Sequence, residues 1–70
     1  MKQGQNVEKE LGAQLRKKRI RLGLSQEGLA FESDLSQTSI SRVERGGRSS
    51  QLVYKTVADT LDRLEVSQKR

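Results

Sequence analysis

Gln37, Thr38, Ser41 and Arg42 are the residues whose types and spacing could do chemistry in this chain. On a helix these positions fall on one face. They offer an amide, two hydroxyls and a guanidinium, the groups that hydrogen-bond to base edges in a DNA major groove. The plainer reading of the same residues is a solvated helix face. Catalysis is disfavoured by what is missing. With His 0 and Cys 0 there is neither an imidazole base nor a thiolate nucleophile, and no serine has a candidate base beside it. The same absences remove the usual zinc ligands and any disulfide. The sequence therefore points away from an enzyme, a metal site and a cofactor.

Charge supports a polyanionic partner only in its distribution. Lys and Arg total 14 against 9 Asp and Glu, a net charge of +5 that many soluble proteins share. Arg16, Lys17, Lys18, Arg19 and Arg21 lie almost consecutively, and Arg42, Arg45 and Arg48 form a second group. The acids lie mostly elsewhere, at Glu8, Glu10, Glu27, Glu32, Asp59, Asp62 and Glu65. For Arg16 and Lys17 a phosphate contact and a merely solvated face stand as alternatives.

These groups must be positioned by a chain of 70 residues, which is one domain. Proline is absent and runs of β-branched or aromatic residues are missing, so the elements expected are helices. Residues 1–6 read as a flexible polar tail, 7–66 as the folded domain and 67–70 as a second tail. A first helix is expected from Val7 to Leu22 along the apolar positions Val7, Leu11, Leu15, Ile20 and Leu22, with Glu8 and Glu10 in its first turn and Gly23 as its stop. Ser25 caps a short helix, Gln26 to Glu32, and Ser33-Asp34 reads as a turn. Ser36 opens the next helix, Gln37 to Arg45, and Gly46-Gly47 ends it. Val53, Val57, Leu61 and Leu64 recur at helical spacing, predicting a fourth helix that ends near Leu64. No stretch approaches the roughly 18–20 apolar residues of a membrane span, and no signal-peptide core opens the chain, so a cytoplasmic location is expected.

The two short central helices, joined by a tight turn, have the arrangement of a helix-turn-helix. Ala30 is small where they must cross. Leu29, Leu35, Ile40 and Val43 can form the apolar wedge that sets the crossing angle. Asp34 sits where a left-handed backbone is often needed, and aspartate tolerates it better than most residues. Phe31, beside Ala30, is expected to face out of the core, which would suit a protein partner.

At this level of detail the chain resembles the phage lambda/434 repressor and Cro family, the Xre-type regulators. The resemblance is carried by Leu11-Gly12-x-x-Leu15-Arg16, by Gly23-Leu24-Ser25-Gln26-Glu27-x-Leu29-Ala30, and by Leu35-Ser36-x-x-x-Ile40-Ser41-Arg42-Val43-Glu44-Arg45-Gly46. It implies an all-α, four- or five-helix domain acting as a sequence-specific, double-stranded DNA-binding transcription regulator. Gln37, Thr38, Ser41 and Arg42 would face the bases. Gln26, Ser39, Arg16, Lys17, Arg45 and Arg48 would face the DNA backbone, Gln26 also bracing the recognition helix. Arg19 and Glu44 would form an internal salt bridge. The partners implied are a palindromic operator and a second copy of the chain, in a prokaryotic, phage or plasmid setting at the nucleoid. Because similar sequences occur in antitoxins, a toxin partner with autoregulated DNA binding is the alternative. Three features depart from the family. Gly28 replaces a helix former, Asp34 replaces the turn glycine, and the chain ends at Arg70 where a fifth helix commonly follows. Either the fourth helix takes over that helix's role or the chain is a fragment of a longer protein.

Overall fold

The computed structural model describes residues 3–68, and their side chains from residue 9 onward. Its elements in chain order are α1 (Gln3–Arg21), α2 (Gln26–Ser33), α3 (Gln37–Glu44) and α4 (Gln51–Gln68), all helical as the composition predicts.

Each helix junction has a local cause. Ser25, Ser36 and Ser50 accept from the backbone N–H groups of Gly28, Ser39 and Val53, capping α2, α3 and α4. The exits from α1, α2 and α3 share one hydrogen-bond pattern, in which two successive N–H groups reach back to carbonyls of the last turn. At α1 these are Gly23 to Ile20 and Leu24 to Arg19. At α2 they are Asp34 to Phe31 and Leu35 to Ala30, and at α3 Gly46 to Val43 and Gly47 to Arg42. The pattern needs a left-handed residue each time, supplied by Gly23 (φ 80°), Asp34 (φ 61°) and Gly46 (φ 75°).

The core is Leu15, Leu22, Leu29, Ala30, Ile40, Val43, Tyr54, Val57 and Leu61, with Leu24, Leu35, Val53, Ala58 and Leu64 packed against it. It therefore sits between the α2–α3 hairpin on one side and α1 with α4 on the other. On α1 the face turned inward is Gly12, Leu15 and Arg19, continued by Leu22 just past the helix end. The expected stripe through Leu11 and Ile20 is corrected accordingly, since both of those are exposed.

The first and last helices also run further than expected at their outer ends. Residues 3–6 are helical, so α1 begins before Val7. Once a helix is nucleated, each added residue brings its own hydrogen bond, and neither Gly4 nor Asn6 outweighs that gain. Glu8 and Glu10 consequently fall outside the first turn, which holds no acid. At the other end α4 runs on through Ser67 to Gln68, whose side-chain amide donates to the Leu22 carbonyl at 2.9 Å. Residues 1, 2, 69 and 70, the outer parts of the two expected tails, lie outside the described residues. Within the described residues no helix is long and apolar enough to cross a membrane.

Candidate nucleic-acid interface

The α2–α3 hairpin is held at a fixed angle by apolar contact and by one buried ionic cluster. Leu29, Ile40 and Val43 are fully buried, and Ala30 is buried between the two helices. Asp34 takes the left-handed turn (φ 61°, ψ 37°) in place of a glycine. Ser33 belongs to α2 and not to the turn: its hydroxyl donates to Leu29 O at 2.8 Å, which lets it be buried.

Glu44, at the last turn of α3, ties three helices together. Arg19 of α1 grips it with Nε to Oε2 at 2.6 Å and Nη2 to Oε1 at 3.1 Å, a two-pronged guanidinium–carboxylate pair. The third arm of Arg19, Nη1, donates to the Leu24 carbonyl at 2.7 Å. Gln26 of α2 adds a hydrogen bond from Nε2 to Glu44 Oε1 at 3.1 Å. The Glu44 carboxylate is thereby neutralised and removed from water, so it does not repel an approaching phosphate. Gln26 is seen here in its bracing role, pinned to α3 at the start of α2.

Above this cluster lies an open concavity of about 380 Å³ lined by Gln26, Gln37, Thr38, Ser41 and Arg45. It brings together residues expected at the bases with two expected at the backbone. Arg42 is exposed but lies outside that lining, with its stem against Gly47. Ser39 is half-buried, and its hydroxyl accepts from Ser36 at 3.1 Å, so it is partly absorbed by the helix cap. Arg48 is exposed in the loop before α4. Arg16 and Lys17 are exposed on α1 and do not line the concavity, Arg16 lying one turn beyond Gly12.

Some cations are claimed by carboxylates and others are not. Lys18 pairs with Asp62 and Glu65, and Arg21 with Glu65. Lys55 pairs with Asp59 and Arg63 with Glu32. The Lys18 ammonium is held above its ordinary pKa, chiefly by its hydrogen bonds to the Asp62 and Glu65 carboxylates. Among the described residues the cations without an ion pair are Lys9, Arg16, Lys17, Arg42, Arg45 and Arg48. Half of these lie on α3 or within a few residues of its end.

Two contributions escaped sequence reasoning. Gly12 is the point where α1 meets the end of α3: a Cβ there would lie 2.2 Å from Val43 O and 3.0 Å from Glu44 O. A glycine inside an otherwise strong helix former run was the available signal. Ser50 was legible only as loop, because capping is set by backbone geometry and serine is common in both settings.

A family model described as helix-turn-helix matches residues 15–67, which takes in the α2–α3 hairpin and nearly all of α4. No curated protein matches the chain.

Proposed function

Because the chain belongs to the helix-turn-helix family, of the Xre or lambda-repressor-like kind, and so carries a DNA-binding regulatory domain, we propose that it is a sequence-specific transcriptional regulator. On this reading α3 enters the major groove, with Gln37, Thr38, Ser41 and Arg42 at the base edges. Gln26, Ser39, Arg16, Lys17, Arg45 and Arg48 hold the flanking phosphates. Two copies bind a partly palindromic operator, with half-sites roughly 34 Å apart. Its setting is the cytoplasm, at the nucleoid, in a prokaryotic, phage- or plasmid-encoded system. The observation that carries the reading is the concavity lined by Gln26, Gln37, Thr38, Ser41 and Arg45, set beside cations that no carboxylate claims.

Selection of bound duplexes from a random library tests specificity, symmetry and spacing together. Enrichment of a two-fold symmetric site supports the reading, and recovery of no preferred sequence refutes it. On the enriched site Arg42→Ala should relax the preference at one base pair, at a cost of about 1–3 kcal/mol. Arg48→Ala should instead weaken binding to all sequences and reduce the salt slope by about one.

A second reading has a specific observation behind it. Phe31 is 84% exposed on the outer side of α2, and Leu52 and Val66 are 72% and 67% exposed on α4. Such apolar exposure suits a protein partner, as in an antitoxin that binds its toxin and represses its own operon. Co-expression with the product of the adjacent gene separates the two readings: a stoichiometric complex that Phe31→Ser abolishes favours the antitoxin.

A further inference from the structure

Tyr54 reaches from the core side of α4 to the backbone that joins α3 to the Arg48 loop. Its hydroxyl donates to the Gly47 carbonyl at 3.0 Å. The Gly47 N–H in turn donates to the Arg42 carbonyl at 2.8 Å, closing the last turn of α3. Gly47 is therefore gripped through both of its polar groups, one by α3 and one by α4. Arg42 leans on the same residue, since a Cβ built on Gly47 would lie 2.9 Å from Arg42 Cγ. Arg48 follows directly in the chain.

We propose that Tyr54 is a positioning residue for DNA binding, acting through Gly47 on Arg48 and on the stem of Arg42 without touching DNA. This inference rests on the reading that Arg42 and Arg48 contact DNA. The physical argument concerns entropy. The segment Gly46-Gly47-Arg48-Ser49-Ser50 would otherwise be the freest stretch between helices, and ordering a free residue on binding costs about 1–2 kcal/mol. A hydroxyl anchored on the buried side of α4 settles that order before DNA arrives. The competing account is that the ring fills the core and the hydroxyl simply satisfies its own buried tip. That account predicts a change in stability alone. Positioning predicts coupling to Arg48.

The test measures fluorescence anisotropy of the 70-residue chain on a short mixed-sequence duplex at low salt. The variants are Tyr54→Phe, Arg48→Ala, the double variant, and each of Tyr54→Phe and wild type in an Arg16→Ala background. All are assayed at a temperature where circular dichroism shows them folded. Tyr54→Phe is expected to weaken binding about three- to tenfold, the scale of one neutral hydrogen bond. That loss should shrink in the Arg48→Ala background, leaving only what passes through Arg42, and persist in full in the Arg16→Ala background. Wild-type affinity for Tyr54→Phe overturns the proposal, as does a loss undiminished by Arg48→Ala, or failure of Tyr54→Phe to fold at any temperature. Wild-type affinity for Arg48→Ala overturns it too, but by refuting the underlying DNA-contact reading, an outcome visible in that single variant before Tyr54 is considered.

Discussion

Lys18 and Arg19 are neighbours in the sequence, both cationic and both paired with carboxylates, yet they belong to different regions with different physics. Arg19 turns inward to the α1–α3 junction, where its side chain and that of Glu44 are 9% and 2% exposed. Lys18 turns outward to the α1–α4 seam, where Asp62 remains 66% exposed. In water the attraction between two such charges is weak and screened, and the ordering of two long side chains offsets much of it. In the junction the same attraction is far stronger, but only because removal from water has already been costly for both partners. As contacts between opposite charges the two pairs are alike. Their consequences on removal are not alike.

The largest effect expected is at Arg19. Arg19→Ala leaves the buried Glu44 carboxylate with only the Gln26 amide, a loss of about 3–5 kcal/mol. A 70-residue domain has roughly 3.5–10 kcal/mol of stability in all, so the variant should lose at least about a third of it. Urea denaturation followed by circular dichroism checks this. Arg19→Met with Glu44→Leu should recover most of the loss, since no charge is then stranded. A single Arg19→Ala variant as stable as wild type would erase the distinction between the two regions.

A smaller loss is expected when the junction is pried apart sterically. Gly12→Ala puts a methyl group 2.2 Å from Val43 O, a backbone atom that cannot rotate away. Overpacking of this kind costs about 1–3 kcal/mol, or more where the backbone must shift. Alanine would otherwise favour the helix by up to about 1 kcal/mol over glycine, so the sign of the change is diagnostic. A lower melting temperature confirms that α1 and α3 meet in backbone contact. A higher one shows that the ion pair alone holds them.

The sequence showed the fold well where local chemistry decides. Serine at Ser25 and Ser36, glycine at Gly23 and Gly46, and the apolar period of α4 each act within one turn, so each can be read without a partner. The left-handed turn at Asp34 was legible for the same reason. The inward face of α1 was not, because Gly12 and Arg19 belong to it on account of Val43 and Glu44, which are distant in the chain. Apolar spacing alone favoured Leu11 and Ile20, which the structure leaves exposed. The helix ends failed in the same way: Gln68 is kept in α4 by a carbonyl of Leu22, a contact 46 residues away. The concavity, too, became visible only once α2 had set Gln26 beside α3.

The smallest effect belongs to the exposed seam, and there pH gives the sharper test. Lys18→Met should cost only about 0.2–1 kcal/mol at neutral pH, the ordinary range for partly exposed pairs, and less as salt is added. Because hydrogen bonds to Asp62 and Glu65 raise the Lys18 pKa above 10.5, folding favours its charged form. Its contribution is therefore fully present below the unfolded value of 10.5 and is lost as pH rises through the higher folded value. The melting-temperature gap between wild type and Lys18→Met should stay constant from neutral pH upward and close above about pH 10.5. Lys18→Arg, whose charge persists through that range, should keep its gap over Lys18→Met open. Parallel alkaline behaviour in Lys18→Arg and wild type would mean that the seam does not depend on the lysine's charge, and that its carboxylates are held by other contacts.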